Sequence, residues 1–173
     1  MTTTVNLALA CRQIARVLRG EAAPEPDASG ERADAVAELA SVLTETGGGS
    51  VYANALPEAV PARAVLVQRA KVPGEGRRSL VPAPGLAAPL RLHVLYLADA
   101  SEGDPAVVLE RLHAAVYGAL QGSEVGFDGR SAHAMHLYLP TAPSAMERYD
   151  DRHAFSAAFG RAVLYSLAEA APA

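Results

Sequence analysis

Apolar residues recur along the chain at two spacings, and the switches between them divide it into elements. Leu7, Cys11, Ile14 and Leu18 fall at steps of four, three and four, which predicts one helical face over residues 5–19 with Gly20 placed to end it. The stretch "EAAPEPDASGE" has the Pro, Asp, Ser and Gly of a loop. Val36, Leu39, Ala40 and Leu43 then return to helical spacing until "GGG" at 47–49. The clearest helix is "DPAVVLERLHAAVYGALQG". There Asp104 can cap, Pro105 suits the first turn, Val108, Leu112, Ala115, Val116, Ala119 and Leu120 share a face, and Gly122 supplies the stop.

Elsewhere the period shortens to two. "SVYANALP" at 50–57 reads as a short strand ended by Pro57 and Pro61. "RAVLVQRAKV" at 63–72 reads as a better one, with β-branched residues on alternate positions. In "PLRLHVLYLA", Leu90, Leu92, Val94 and Tyr96 take one face. Arg91 and His93 begin the other, which turns apolar at Leu95 and Leu97, so this strand is expected to be central and covered on both sides. "HAMHLYLP" at 133–140 and "HAFSAAFGRAVLYSL" at 153–167 also alternate. Phe155, Phe159, Val163, Tyr165 and Leu167 share a face in the second of these, with Arg161 among them.

The order α-α-β-β-β-α-β-β predicts an α+β fold. The expected form is a mainly antiparallel sheet of about four to five strands with a long hairpin, packed against a central helix and preceded by two N-terminal helices. The length fits one domain over 1–173, with a helical segment at 1–49 and an α/β core at 50–168.

Charge sharpens this picture. The chain carries a net −4, but residues 61–93 hold six bases against Glu75, while residues 94–128 hold Arg111 against six acids. The basic part is the long hairpin together with its strands; the connection at 73–88 carries Arg77 and Arg78, and its "GEGRRS" is too polar to bury much area by itself, so an ordered arm there implies a partner surface. No aromatic lies between residues 53 and 95, and a dedicated nucleic-acid binder would interleave aromatics with its bases. Cys11 has no partner for an internal disulfide, and the N-terminus lacks the features of an export signal, so cytoplasmic folding is expected. No run reaches the roughly twenty apolar residues of a membrane span.

Candidate chemistry is sparse. His133 and His136 are three apart, which sends them to opposite faces of a strand and disfavours a shared metal. "YDDRH" places Asp150, Asp151 and His153 in a polar connector that solvation explains. Cys11 belongs to an apolar stripe and reads as core. "GGGSVY" lacks the Lys-Ser/Thr ending of a phosphate loop and follows a helix. The reading is of a non-enzyme without cofactor or metal, whose function lies in its surfaces.

The succession "RAVLVQRAKV", long polar hairpin, "PLRLHVLYLAD", "DPAVVLERLHAAVYGALQG" and "AAFGRAVLYSL" resembles the tail terminator, or tail-completion, proteins of bacteriophages and of phage-tail-like contractile injection particles. The likeness covers roughly residues 50–168 and rests on element order and hydrophobic texture. It implies a homo-oligomeric ring, usually of six subunits, that assembles in the host cytoplasm. The ring would cap the tail tube, stop its polymerisation, and join it to a head connector, neck protein or sheath. By the same resemblance Arg77 and Arg78 would reach the tube protein and the faces around Arg63, Arg69 and Lys71 would contact neighbouring subunits, with Arg91 a further candidate for partner binding. No membrane and no specific nucleic acid would be bound, although the genome would pass through the lumen. Two other readings stay open: a head-completion or neck joining protein, and a small-molecule-binding α+β domain with a cleft beside the helix.

Overall fold

The computed structural model describes residues 7–22, 26–27, 29–69, 87–126 and 133–166. Three helices form. The first, α1 (Leu7–Leu18), buries Ala10, Cys11, Ile14, Ala15, Val17 and Leu18, the stripe its spacing requires. Asp27 starts α2 (Glu31–Thr44): its two carboxylate oxygens accept from Arg32 N at 2.8 Å and Ala33 N at 3.1 Å, satisfying amides that the first turn leaves open. The third, α3 (Pro105–Leu120), begins at Asp104. It ends where Gln121 N donates to Tyr117 O and Gly122 takes φ +69°, a conformation that suits glycine.

The strands are β1 (Ser50–Ala53), β2 (Arg63–Arg69), β3 (Ala87–Asp99), β4 (Glu124–Gly126), β5 (His133–Tyr138), β6 (Glu147–Arg148) and β7 (His153–Ser166). They form one sheet in the order β1-β2-β3-β7-β5-β4, with β6 also paired to β7. This corrects the expected architecture. The fold is α+β, but the sheet is curled and mixed, has seven strands rather than four to five, and carries a layer of three helices rather than one central helix.

The parallel pair β1–β2 makes the sheet mixed. At the end of β1, Asn54 adopts φ 68°, a left-handed conformation that Asn tolerates better than most residues, and its side chain donates to Ala8 O at 3.0 Å. The chain then crosses the sheet and re-enters in the same direction. Tyr52, Leu56 and Val60 thereby pack over Ala64, Leu66, Leu95, Leu97 and Ala157. Pro57 and Pro61, which read as strand terminators, belong to this crossover. Gly49 is obligatory just before β1, because a Cβ there would run into Leu43 O and lie 2.7 Å from Arg63 O.

As expected from its two apolar faces, β3 is central, antiparallel to both β2 and β7. Its Leu92, Val94 and Tyr96 join the main core beneath the helices, while Leu95 and Leu97 belong to the smaller cluster on the other side. Small residues of β7 meet the helix side: Ala154, Ala158 and Ala162 are buried there, and the larger Phe155 and Phe159 point away. This exchange lets α3 approach β3 and β7 closely and turns the aromatic side of β7 outward.

Candidate functional site: the open half of the sheet

The crossover covers only one end of the outer sheet face. Along β3 and β7 the face changes in register from Leu97–Phe155 and Leu95–Ala157, which are covered, to His93–Phe159 and then Arg91–Arg161, which are open. Phe159 is 66% exposed and stacks flat on His93, with ring centres 4.8 Å apart and planes at 6°. Gln68 on β2 donates from its amide nitrogen to His93 Nδ1 at 3.0 Å, fixing the ring, and burial holds the imidazole below its ordinary titration range.

Arg91 and Arg161 are directly opposed across β3 and β7, and both are exposed. Like charges in this position repel. Neither has an acidic partner among the described residues. Tyr138 on β5 lies opposite Arg161, with the guanidinium 6.0 Å from its ring centre, close enough for a cation–π contact but not for neutralisation. One strand further, His136 Nε2 lies 3.5 Å from Glu124 Oε2. The open face therefore presents an aromatic ring, two uncompensated cations and an aromatic rim. It suits an anionic, partly apolar surface better than an enclosed substrate.

The six residues singled out from the sequence fare differently. Lys71, Arg77 and Arg78 lie outside the described residues. Arg91 is at the centre of the open face. Arg69 is exposed at the end of β2 but pairs with Leu92, and so belongs to the opposite, helix-bearing side. Arg63 is not a surface contact: only 5% of it is accessible and its donors are used internally. Its Nη1 donates to Val42 O at 2.6 Å and Glu45 Oε2 at 2.7 Å, while Nε and Nη2 donate to Glu102 Oε1 at 2.9 and 2.6 Å. Arg111 holds the other side of Glu45, at 2.7 Å, so the C-terminal end of α2, the start of β2 and the loop before α3 are tied together. Hydrogen bonds from Arg111 and Arg63 lower the Glu45 carboxyl to about 2.

Residues missed from the sequence as parts of this site are Arg161, Phe159 and Tyr138, while His93 reads from the sequence only as lining for a ligand cleft beside the helix. Their spacing showed that Phe159 and Arg161 share a face. Only the register that sets them against His93 and Arg91 makes them a site.

The remaining histidine clusters are structural. His113 of α3 and Tyr96 of β3 are buried and bonded to each other, and His113 also bonds Pro140 O. "YDDRH" does more than face solvent: Asp150 accepts from Arg152 N and His153 N at 2.8 and 2.6 Å. The buried His153 ring reaches Asp150 on one side, at 3.1 Å, and Pro61 O on the other, at 2.8 Å. The turn before β7 is thereby fastened to the crossover. Among the described residues no group of three or more His, Cys, Asp or Glu is placed to hold a metal ion. Nor is any helix there long and apolar enough to cross a membrane. A shallow cavity of about 400 Å³ lies between the start of α2 and the end of α3, lined by Asp27, Arg32, Tyr117 and Gln121 among others. Arg32, its cation, is already committed to Pro26 O, Ala119 O and Gln121 O, and neither His93 nor His113 reaches it.

In comparisons with known proteins, no family model, no curated protein and no solved structure matches the chain.

Proposed function

We propose that the chain is an assembly subunit acting through its open sheet face, and specifically a tail terminator: a ring-forming protein that caps a tail tube and joins it to a connector, neck or sheath. The observation that carries the assembly role is the opposed Arg91–Arg161 pair beside the exposed Phe159. Two cations held against each other without an acidic partner among the described residues are a standing cost to the isolated chain, and so is an aromatic ring left in water. Both are relieved when an acidic surface with an apolar contact covers them, and charge complementarity of that kind fixes register in an interface.

The particular assembly rests on the resemblance of the sequence, in its order of strand-like and helical stretches, to tail terminators. The 70–86 segment joins β2 to β3, at the same end of these strands as Gln68, His93 and Arg91. The test is co-sedimentation of the purified chain with tubes built from a tail tube protein of the same genome. Binding at low salt that weakens with added salt is expected. Absence of binding to tubes, with retention on a portal or adaptor ring instead, would reassign the chain to the neck.

A further inference from the structure

The α2–α3 part of the helix layer carries charge opposite to that of the open sheet face, whereas α1 exposes Arg12 and Arg16. On the exposed side of α2 stand Glu31, Asp34 and Glu38, and on that of α3 stands Glu110 with the half-exposed Val107 near it. Glu45 is spent on Arg63 and Arg111, and Glu38 approaches Arg111 only at 4.0 Å. Glu31, Asp34 and Glu110 have no basic partner among the described residues. Contacts of Arg32 with Gln121 O and of Arg111 with Glu45 tie opposite ends of α2 and α3, so the two helices run side by side in opposite directions and their acids share one surface. That surface and the Arg91–Arg161 face lie on opposite sides of the sheet.

We propose that the open sheet face, centred on Arg91, Arg161 and Phe159, docks the acidic α2–α3 face of a second copy of this chain, head to tail. The inference rests on the assembly reading above and specifies its subunit contact. Complementary faces on opposite sides of one molecule cannot satisfy each other within it. Between copies they make a heterologous contact, which closes into a ring or continues as a filament. A nucleic acid is the weaker occupant. The same face carries Glu124 at its β4 edge, and a chain of net −4 repels a polyanion at long range.

Charge exchange tests this. One variant carries Arg91→Glu with Arg161→Glu, the other Asp34→Arg with Glu110→Arg. Both are checked for native melting and examined by sedimentation velocity over a range of concentration and salt. Wild type is expected to self-associate, and each variant alone to lose affinity by about tenfold or more. An equimolar mixture is expected to regain assembly, because each altered face then meets its complement on the other variant. Wild-type assembly that neither exchange disturbs would overturn this interface and leave the assembly reading standing. A wild type that is monomeric at every concentration, alone and on tubes, would remove the assembly reading itself. Salt-sensitive retention of a single-stranded oligonucleotide by wild type but not by the Arg91→Glu, Arg161→Glu variant, without self-association, would overturn the proposal in favour of nucleic acid.

Discussion

Tyr96 Oη lies 2.8 Å from His113 Nδ1, and the far nitrogen of the same ring lies 2.8 Å from Pro140 O. A carbonyl only accepts, so Nε2 carries the proton and donates, leaving Nδ1 to accept from the tyrosine hydroxyl. The buried histidine is neutral and fully bonded. Burial holds its titration below the ordinary 6.5, against a smaller opposing effect of the Pro140 bond. A histidine depressed in the folded state contributes stability that is present above the unfolded value and lost as pH falls below it. Tyr96→Phe leaves Nδ1 unpaired and is expected to cost about 1–3 kcal/mol. Urea denaturation at pH 7.5 and 5.5 checks both points. Wild type should lose stability between these values, and His113→Gln should lose less.

Arg63 joins three elements, and truncating one partner of a buried ion pair strands the rest. Arg63→Ala is expected to destabilise by about 3 kcal/mol or more. Glu45, held near 2 by Arg111 and Arg63, contributes stability that is present above about 4.5 and lost as pH falls toward 2. Thermal melts across that window should fall steeply for wild type and less steeply for Arg63→Ala.

Cys11 is fully buried in α1, and desolvation raises its thiol to about 11 from an ordinary 9.0. Folding therefore favours the protonated thiol. The associated stability is complete below pH 9 and is lost as pH rises toward 11. Labelling with a thiol-reactive dye at pH 8 should be slow in the native protein and immediate in denaturant. Rapid native labelling would place Cys11 outside the core.

How much of this was legible in the sequence depends on the range of the interaction involved. The helical stripe of α1, the cap and stop of α3 at Asp104 and Gly122, and the two apolar faces of β3 are local patterns, and each appears where its spacing puts it. Two short strands, β4 and β6, were not anticipated, because three-residue and two-residue pairings carry no periodic signal. The parallel β1–β2 pair depends on the turn at Asn54 and the crossover beyond it, where two prolines suggest only an ending. Arg63 was judged by its charge, yet its setting is decided by Glu45 and Glu102, 18 and 39 residues away. The open face needed the β3–β7 register, which no local pattern supplies.

That register also makes a prediction with opposite signs for stability and function. Arg161→Glu converts the opposed arginines into a cross-strand ion pair and is expected to stabilise the fold by about 0.2–1 kcal/mol. The same change removes half of the charge offered to a partner. A variant that melts higher than wild type but binds less would mark Arg161 as kept for binding.

The central claim is that this chain caps a tube as an assembly that depends on that face. The most direct measurement is the length distribution of tubes, by negative-stain electron microscopy, when a tail tube protein of the same genome polymerises with and without the chain. Shortened tubes with a ring at one end are expected for wild type, and uncapped tubes of full length for the folded Arg91→Glu, Arg161→Glu variant. Tubes of unchanged length with wild type would contradict the account.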